Sequence, residues 1–219
     1  MRIELHSHTL LSDGELIPIE LARRAAVKGH QALAITDHAS LSNLDRLLTE
    51  AKRDVPLAKE WGLELLVGVE ITHVPAKKLD LVVKEAKKRG AQVIVVHGET
   101  VSEPVEPGTN HAAVCNPDVD ILAHPGFITL EDVENAKRND VALEITSRRA
   151  HNRTNGHVAK LAQQVGARMV VDTDAHGPDD LIDLETALNV ALAAGLNKAE
   201  AQKAVGQTPR SILKRARSR

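Results

Sequence analysis

Arg2-Ile3-Glu4-Leu5-His6-Ser7-His8 opens the chain with a strand-like alternation, and its period of two places Glu4, His6 and His8 on one face. The same kind of ending recurs along the sequence. His38 closes the run Ala32-Leu33-Ala34-Ile35-Thr36-Asp37, and Glu70 closes Leu63-Glu64-Leu65-Leu66-Val67-Gly68-Val69. His97 follows Gln92-Val93-Ile94-Val95-Val96, and His124 follows Val119-Asp120-Ile121-Leu122-Ala123. Asp174 and His176 follow Arg168-Met169-Val170-Val171-Asp172-Thr173, again with Asp172, Asp174 and His176 on one face, and Asp13 lies in the loop just after the first pair. A parallel β/α barrel gathers the C-terminal ends of its strands at one rim, so groups far apart in sequence converge there.

The rest of the chain alternates strand and helix. Residues 17–29 have helical periodicity with an early Pro18 and a closing Gly29, and similar helices are expected near 42–61, 76–90, 129–139, 153–166 and 179–194. Gly62, Gly90, Gly166 and Gly195 follow four of these as C-terminal caps would. Strands are expected at 2–6, 31–36, 63–71, 91–97, 119–123, 141–146 and 168–173. Seven strands with a helix after most of them predict an α/β fold, a distorted seven-stranded version of the usual eight-stranded barrel. We expect a single domain over residues 1–219 with a basic helical tail from about residue 197. The longest irregular loop, 98–110 with Pro104, Pro107 and Gly108, leaves the same rim as the ligand-type residues.

Composition narrows the function classes. At 219 residues, 42% hydrophobic, the chain is long enough for one sizeable core. A formal charge of −2 gives no general attraction to nucleic acid or anionic membrane. The single cysteine, Cys115, excludes an internal disulfide and is expected as a small buried side chain near a helix end. No 18-residue apolar stretch and no leader are visible, so a cytoplasmic location is expected.

Imidazole and carboxylate together suit zinc, manganese or iron, whereas calcium and magnesium favour oxygen donors alone. Nine such groups are too many for one ion, and two or three divalent ions with bridging carboxylates would use them all. An unpaired polar ring at a barrel mouth costs a few kcal/mol, so chance placement at so many strand ends is a poor explanation. For His30, His73, His111, His151 and His157 an ordinary core or surface role is expected, with His151 able to reach the rim.

His6-x-His8 followed by Ser12-Asp13-Gly14, then Thr36-Asp37-His38, Gly68-Val69-Glu70, His97, His124-Pro125 and Asp174-Ala175-His176 resembles the polymerase-and-histidinol-phosphatase (PHP) family, in order and over most of the chain. The resemblance implies a trinuclear metal centre for phosphoester hydrolysis. His6, His8, Glu70 and Asp174 would hold the first ion, Glu70 would bridge to a second held by His97 and His124, and Asp13, His38 and His176 would hold a third. Glu70 and Asp174 would act in catalysis through those ions. Many histidinol phosphatases of the family have histidine where this chain has Asp13, which weakens the case for histidinol phosphate as substrate. Asp172 stands where an uncharged residue is expected and is read as an orienting partner for a histidine.

Phosphate ester hydrolysis accounts for such a cluster: a hydroxide bridging two ions is a nucleophile near neutral pH, and a third ion neutralises phosphate oxygens. Arg148 and Arg149, after the sixth strand, are the expected substrate clamp, since guanidinium fits phosphate bidentately. Glu144 is expected to orient a ligand or contact a substrate amine. The leading expectation is a phosphomonoesterase acting on a small phosphorylated molecule. A nuclease or nucleotide phosphoesterase is the first alternative, with an amidohydrolase or a non-catalytic ribonuclease P-like scaffold behind it. A nucleotide is possible, but no stable nucleic-acid complex is expected. The aromatic side chains are only Trp61, read as core packing late in a helix, and Phe127, placed near His124 for ligand contact. The basic tail reads as a solvated helix end.

Overall fold

The computed structural model describes residues 2–219 and is built on parallel strands throughout. The strands are β1 (Arg2–Glu4), β2 (His30–Ile35), β3 (His38–Ala39), β4 (Glu64–Ile71), β5 (Val93–His97), β6 (Ile121–Ala123), β7 (Ala142–Thr146) and β8 (Met169–Asp172). Seven of them run in the order β1-β2-β4-β5-β6-β7-β8, with the two-residue β3 paired to β4, and together they form the nearly closed barrel expected. Both faces of these strands are covered, which is why they read as continuous apolar runs; all five residues of β5, for instance, are buried.

The covering helices are α1 (Pro18–Val27), α2 (Leu44–Lys59), α3 (Leu79–Lys88), α4 (Thr109–Val114), α5 (Leu130–Arg138), α6 (Asn155–Val165), α7 (Leu184–Ala193), α8 (Lys198–Gln202) and α9 (Thr208–Ala216). The expected glycine stops hold; Gly166 ends α6 in the left-handed region at φ 75°. Helix α4 begins inside the stretch read as loop 98–110. Helix α7 starts later than expected because Asp183 caps it, accepting from the Thr186 amide at 2.8 Å. No helix among the described residues is long and apolar enough to cross a membrane. Cys115 does sit at the end of α4 but is exposed, a correction to the buried reading. Trp61 is likewise half-exposed, with the Arg23 guanidinium 5.2 Å above its ring, because it falls past the end of α2 on the outer surface.

The core has two layers. One lies between helices and barrel wall and includes Leu21, Leu47, Val83, Val133 and Val158; the other fills the barrel with Ile3, Leu5, Leu66, Val95, Ile121 and Val170. The inner layer is completed by Ile212, Leu213 and Ala216 of α9, so the C-terminal helix plugs the barrel floor. The basic tail is therefore not a solvated helix end. Arg215 and Arg219 close on the two oxygens of buried Asp120 at 2.5 and 2.6 Å, and Arg217 pairs with Glu64.

Between β1 and β8 the ladder gives way to side chains. Glu4 Oε1 accepts from the Thr173 amide at 2.9 Å, and Asp172 Oδ1 accepts from the Leu5 amide at 3.0 Å. Arg2 donates to the Val171 carbonyl at 2.8 Å and to Glu4 at 2.6 Å, and reaches to within 4.0 Å of Asp172. Asp172 thus serves this seam, and a histidine-orienting role for it is not what the structure shows. Burial and the charge of Glu4 push its carboxyl well above the usual range. Beyond the seam, a bridge between Ser7 and Ala175 joins the strands' extensions, and the His8 amide donates to the Ala175 carbonyl at 2.8 Å. Arg2→Met is expected to lower stability by about 3–5 kcal/mol, because it strands two buried carboxyls; urea unfolding checks this, and an unchanged midpoint would contradict it.

Candidate metal centre

All nine ligand-type residues meet at the C-terminal rim. The first pair follows β1, His38 opens β3, Glu70 lies in β4, His97 ends β5, His124 follows β6, and Asp174 and His176 follow β8. Their donor atoms fall into overlapping sets: His6–His8–Glu70, His6–His124–Asp174, Glu70–His97–His124 and His8–Asp13–His38–His176. The second-ion and third-ion groups expected from the sequence are present, the latter joined by His8. The four residues expected at the first ion are shared between two triads, with Asp174 reaching toward His124 as well (3.6 Å).

The spacing suits cation binding. His6 Nε2 is 3.1 Å from His8 Nε2, 3.3 Å from Glu70 Oε1 and 3.6 Å from Asp174 Oδ1. His176 Nε2 and His38 Nε2 stand 3.3 and 3.5 Å from Asp13 Oδ1. Donors bound to one ion at about 2.0–2.2 Å lie roughly 3–3.6 Å apart. Glu70 Oε1 and Asp174 Oδ1 are buried and, despite these close imidazoles, accept no hydrogen bond; His8 Nδ1 and His124 Nδ1 also lack partners. Buried polar atoms are rarely left so, and unengaged carboxylate oxygens ringed by imidazoles fit a divalent ion.

Electrostatics agree. Burial alone would raise Glu70, but the charges of His6, His97 and His38 hold it well below the carboxylate range. Asp174 is held down in the same way by His6 and His8, against its burial. Burial pulls His38 down, but Glu70 and Asp13 outweigh it and push it up to about 10. His8 and His124 are lowered by burial, His8 to about 4, and so are neutral ligand-type imidazoles at pH 7. A cation bound here would displace the protons that the carboxylates otherwise hold on His6 and His38.

Neighbouring residues fix the donors. Glu144 of β7, the one barrel strand without an expected metal ligand, accepts from His6 Nδ1 at 2.7 Å and from the His124 amide at 2.9 Å. That leaves His6 Nε2 facing the cluster, the ligand-orienting role among the two expected of Glu144. Thr72 Oγ1 lies 2.7 Å from His38 Nδ1. Asp37 accepts from the Thr9 amide and hydroxyl, both at 2.7 Å, and from the Ser12 hydroxyl, shaping the loop that carries Asp13. Gly14 in that loop has no substitute, since a Cβ there would lie 2.5 Å from the His8 carbonyl oxygen. His124 (φ 28°) and Asp174 (φ 50°) hold backbone conformations that side chains rarely adopt, a strain found chiefly at functional sites.

Arg148 is half-buried, and its Nη1 pairs with Asp180 at 3.1 Å; Asp180 also accepts from the His176 and Gly177 amides. Arg149 is exposed and has no ion pair among the described residues. Phe127 lies at the rim, 71% exposed, its ring edge-on to His157.

Two of the histidines given an ordinary role, His73 and His151, also stand at this rim. Glu103, in the irregular loop, stands 3.1 Å from His97 Nε2, 3.6 Å from His73 Nε2 and 3.4 Å from His151 Nε2. His151 stacks on His124 with ring centroids 4.3 Å apart. The sequence signal for Glu103 was only that its loop leaves the rim, since Glu99 and Glu106 share that loop. His73 and the residue before His151 reach the rim through positive φ, at His73 (51°) and Ala150 (70°), which no local pattern announces.

A family model described as PHP domain matches residues 4–184. An uncharacterized protein of Methanocaldococcus jannaschii is 52% identical over 98% of this chain and all of its own length. A probable phosphatase of Caldanaerobacter subterraneus is 33% identical over 80% of this chain and 76% of its own. Among solved structures, a chain of an archaeal ribonuclease P with mature tRNA superposes with a TM-score of 0.74 at 19% identity, covering 98% of this chain and 92% of that one. A histidinol phosphate phosphatase of Lactococcus lactis, complexed with zinc, L-histidinol and phosphate, gives 0.60 at 13%, covering 98% and 93%. The match over residues 4–184, the barrel and the rim motifs make this chain a member of the PHP domain family.

Proposed function

We propose that the protein is a metal-dependent phosphomonoesterase acting on a small phosphorylated molecule, with His6, His8, Asp13, His38, Glu70, His97, His124, Asp174 and His176 holding two or three divalent transition-metal ions. The observation that carries this is the convergence of those donors, with buried Glu70 Oε1 and Asp174 Oδ1 left without a hydrogen bond. Divalent ions held there supply an activated water nucleophile at neutral pH and offset charge on the phosphate oxygens. Glu70, between two donor sets, fixes their spacing, while Glu144 keeps His6 in the orientation that presents Nε2.

Arg148 supports phosphate binding. Asp180 ties it beside His176, yet only Nη1 is engaged, so the rest of the guanidinium fork is left to grip two phosphate oxygens. Arg148→Lys is expected to raise KM several-fold with metal content intact, since lysine keeps the charge but loses the fork. Arg149→Lys is expected to change it less. Equal effects of the two, measured by phosphate-release kinetics, would remove Arg148 from this role.

A second reading, an RNA-associated scaffold, is favoured by the higher likeness to the ribonuclease P chain. The formal charge of −2 and the internal pairing of Arg215, Arg217 and Arg219 argue against it. A panel of sugar, amino-alcohol and nucleotide monophosphates beside single-stranded oligonucleotides separates the readings. Turnover of a small monoester above that of every oligonucleotide supports the phosphomonoesterase; faster oligonucleotide cleavage makes it a nuclease, and tight RNA binding without turnover a scaffold.

A further inference from the structure

We propose that Glu103 is a tenth ligand of the metal centre, delivered by the loop over residues 98–108 to the ion position formed by Glu70, His97 and His124. This rests on the metal-centre reading above. His97 decides the geometry. Its Nδ1 faces the Gly98 carbonyl oxygen at 3.2 Å, so only Nε2 is available to a cation. His97 belongs both to the Glu70–His97–His124 set and to a His73–His97–Glu103 set. One imidazole lone pair serves one ion, so an ion held by His97 Nε2 sits where the two sets meet, with Glu70 and His124 on the barrel side and Glu103 on the loop side. The 3.1 Å from Glu103 Oε2 to His97 Nε2 is a spacing that two donors of one ion adopt.

The loop is built to hold this carboxylate. At its base, Glu99 Oε1 accepts from the Gly108 and Asn110 amides at 2.9 and 2.8 Å. Glu106 accepts from the Ala76 amide at 2.8 Å, and the Thr100 hydroxyl lies 2.6 Å from His151 Nδ1. His151, stacked on His124, faces the other oxygen of Glu103, while His73 flanks Oε2. Glu103 is therefore gripped from two sides by imidazoles whose approach requires strained backbone at His73 and Ala150. Placing a ligand on a loop makes occupancy of this position depend on the loop, unlike donors fixed at strand ends.

The test uses the full chain loaded with cobalt(II), whose visible absorption reports its donor set, together with metal affinity from equilibrium dialysis. Glu103→Gln keeps size and removes the ligating charge. It is expected to weaken one cobalt equivalent about tenfold or more and to alter the absorption bands. An unchanged spectrum, whatever the affinity, means that Glu103 acts only through space and overturns the proposal. His97→Ala tests the underlying reading separately. If that variant binds as much cobalt as the unaltered chain, the His97 position is not a metal site at all. If His97→Ala loses an equivalent while Glu103→Gln keeps the spectrum, only the tenth ligand is refuted.

Discussion

Glu70→Ala is expected to abolish phosphate release, with a fall of about a thousandfold or more, and to lower the bound metal. Glu70 is fully buried in β4, and its oxygens stand 3.3 Å from His6, 2.7 Å from His38 and 3.6 Å from both His8 and His124. Glu70 belongs to two of the donor sets, so its loss opens more than one ion position. Glu70→Gln separates charge from shape: it retains the volume and should still lose most of the metal. Elemental analysis and phosphate-release assays on the folded variants check both statements. Full activity with unaltered metal content would place the chemistry elsewhere.

Removing residues 208–219 is expected to leave a chain that does not fold stably. Helix α9 contributes buried Ile212 and Leu213 to the barrel floor, each worth about 1.5–3 kcal/mol. Its loss also strips Arg215 and Arg219 from Asp120, a buried carboxylate whose unpairing costs about 3–5 kcal/mol. These losses together approach the entire stability of an ordinary domain, roughly 5–15 kcal/mol. Circular dichroism and chemical denaturation of the truncated chain measure the effect; a cooperative transition at the original midpoint would show that the barrel closes without its plug.

The barrel and nine of its rim residues were legible because both follow from a single regularity. Parallel strands buried on two faces read as apolar runs, and their downstream ends share one rim, so His6, Glu70, His97 and Asp174 could be placed together without any contact being known. Residues whose position depends on non-local geometry were not legible in this way. Glu103 reaches His97 only because its loop is anchored by Glu99 and Glu106, and His73 arrives through a backbone conformation unusual for its type. Asp172 looked like a histidine's partner because it shares a strand face with Asp174, yet the barrel seam claims it. Asp180 fell within a predicted helix; its side chain instead caps the His176 and Gly177 amides, and the helix begins at Leu184. The tail's charge reads as solvated because its partners, Glu64 at the start of β4 and Asp120 just before β6, are distant in sequence.

The most direct measurement is phosphate release from small phosphomonoesters by the chelator-stripped protein, before and after manganese, zinc or iron is restored. Negligible turnover in the stripped protein, recovered on adding metal in step with two to three bound equivalents, is the expected result. Turnover that survives complete removal of metal, or none on any monoester with the centre fully loaded, would contradict a metal-dependent phosphomonoesterase.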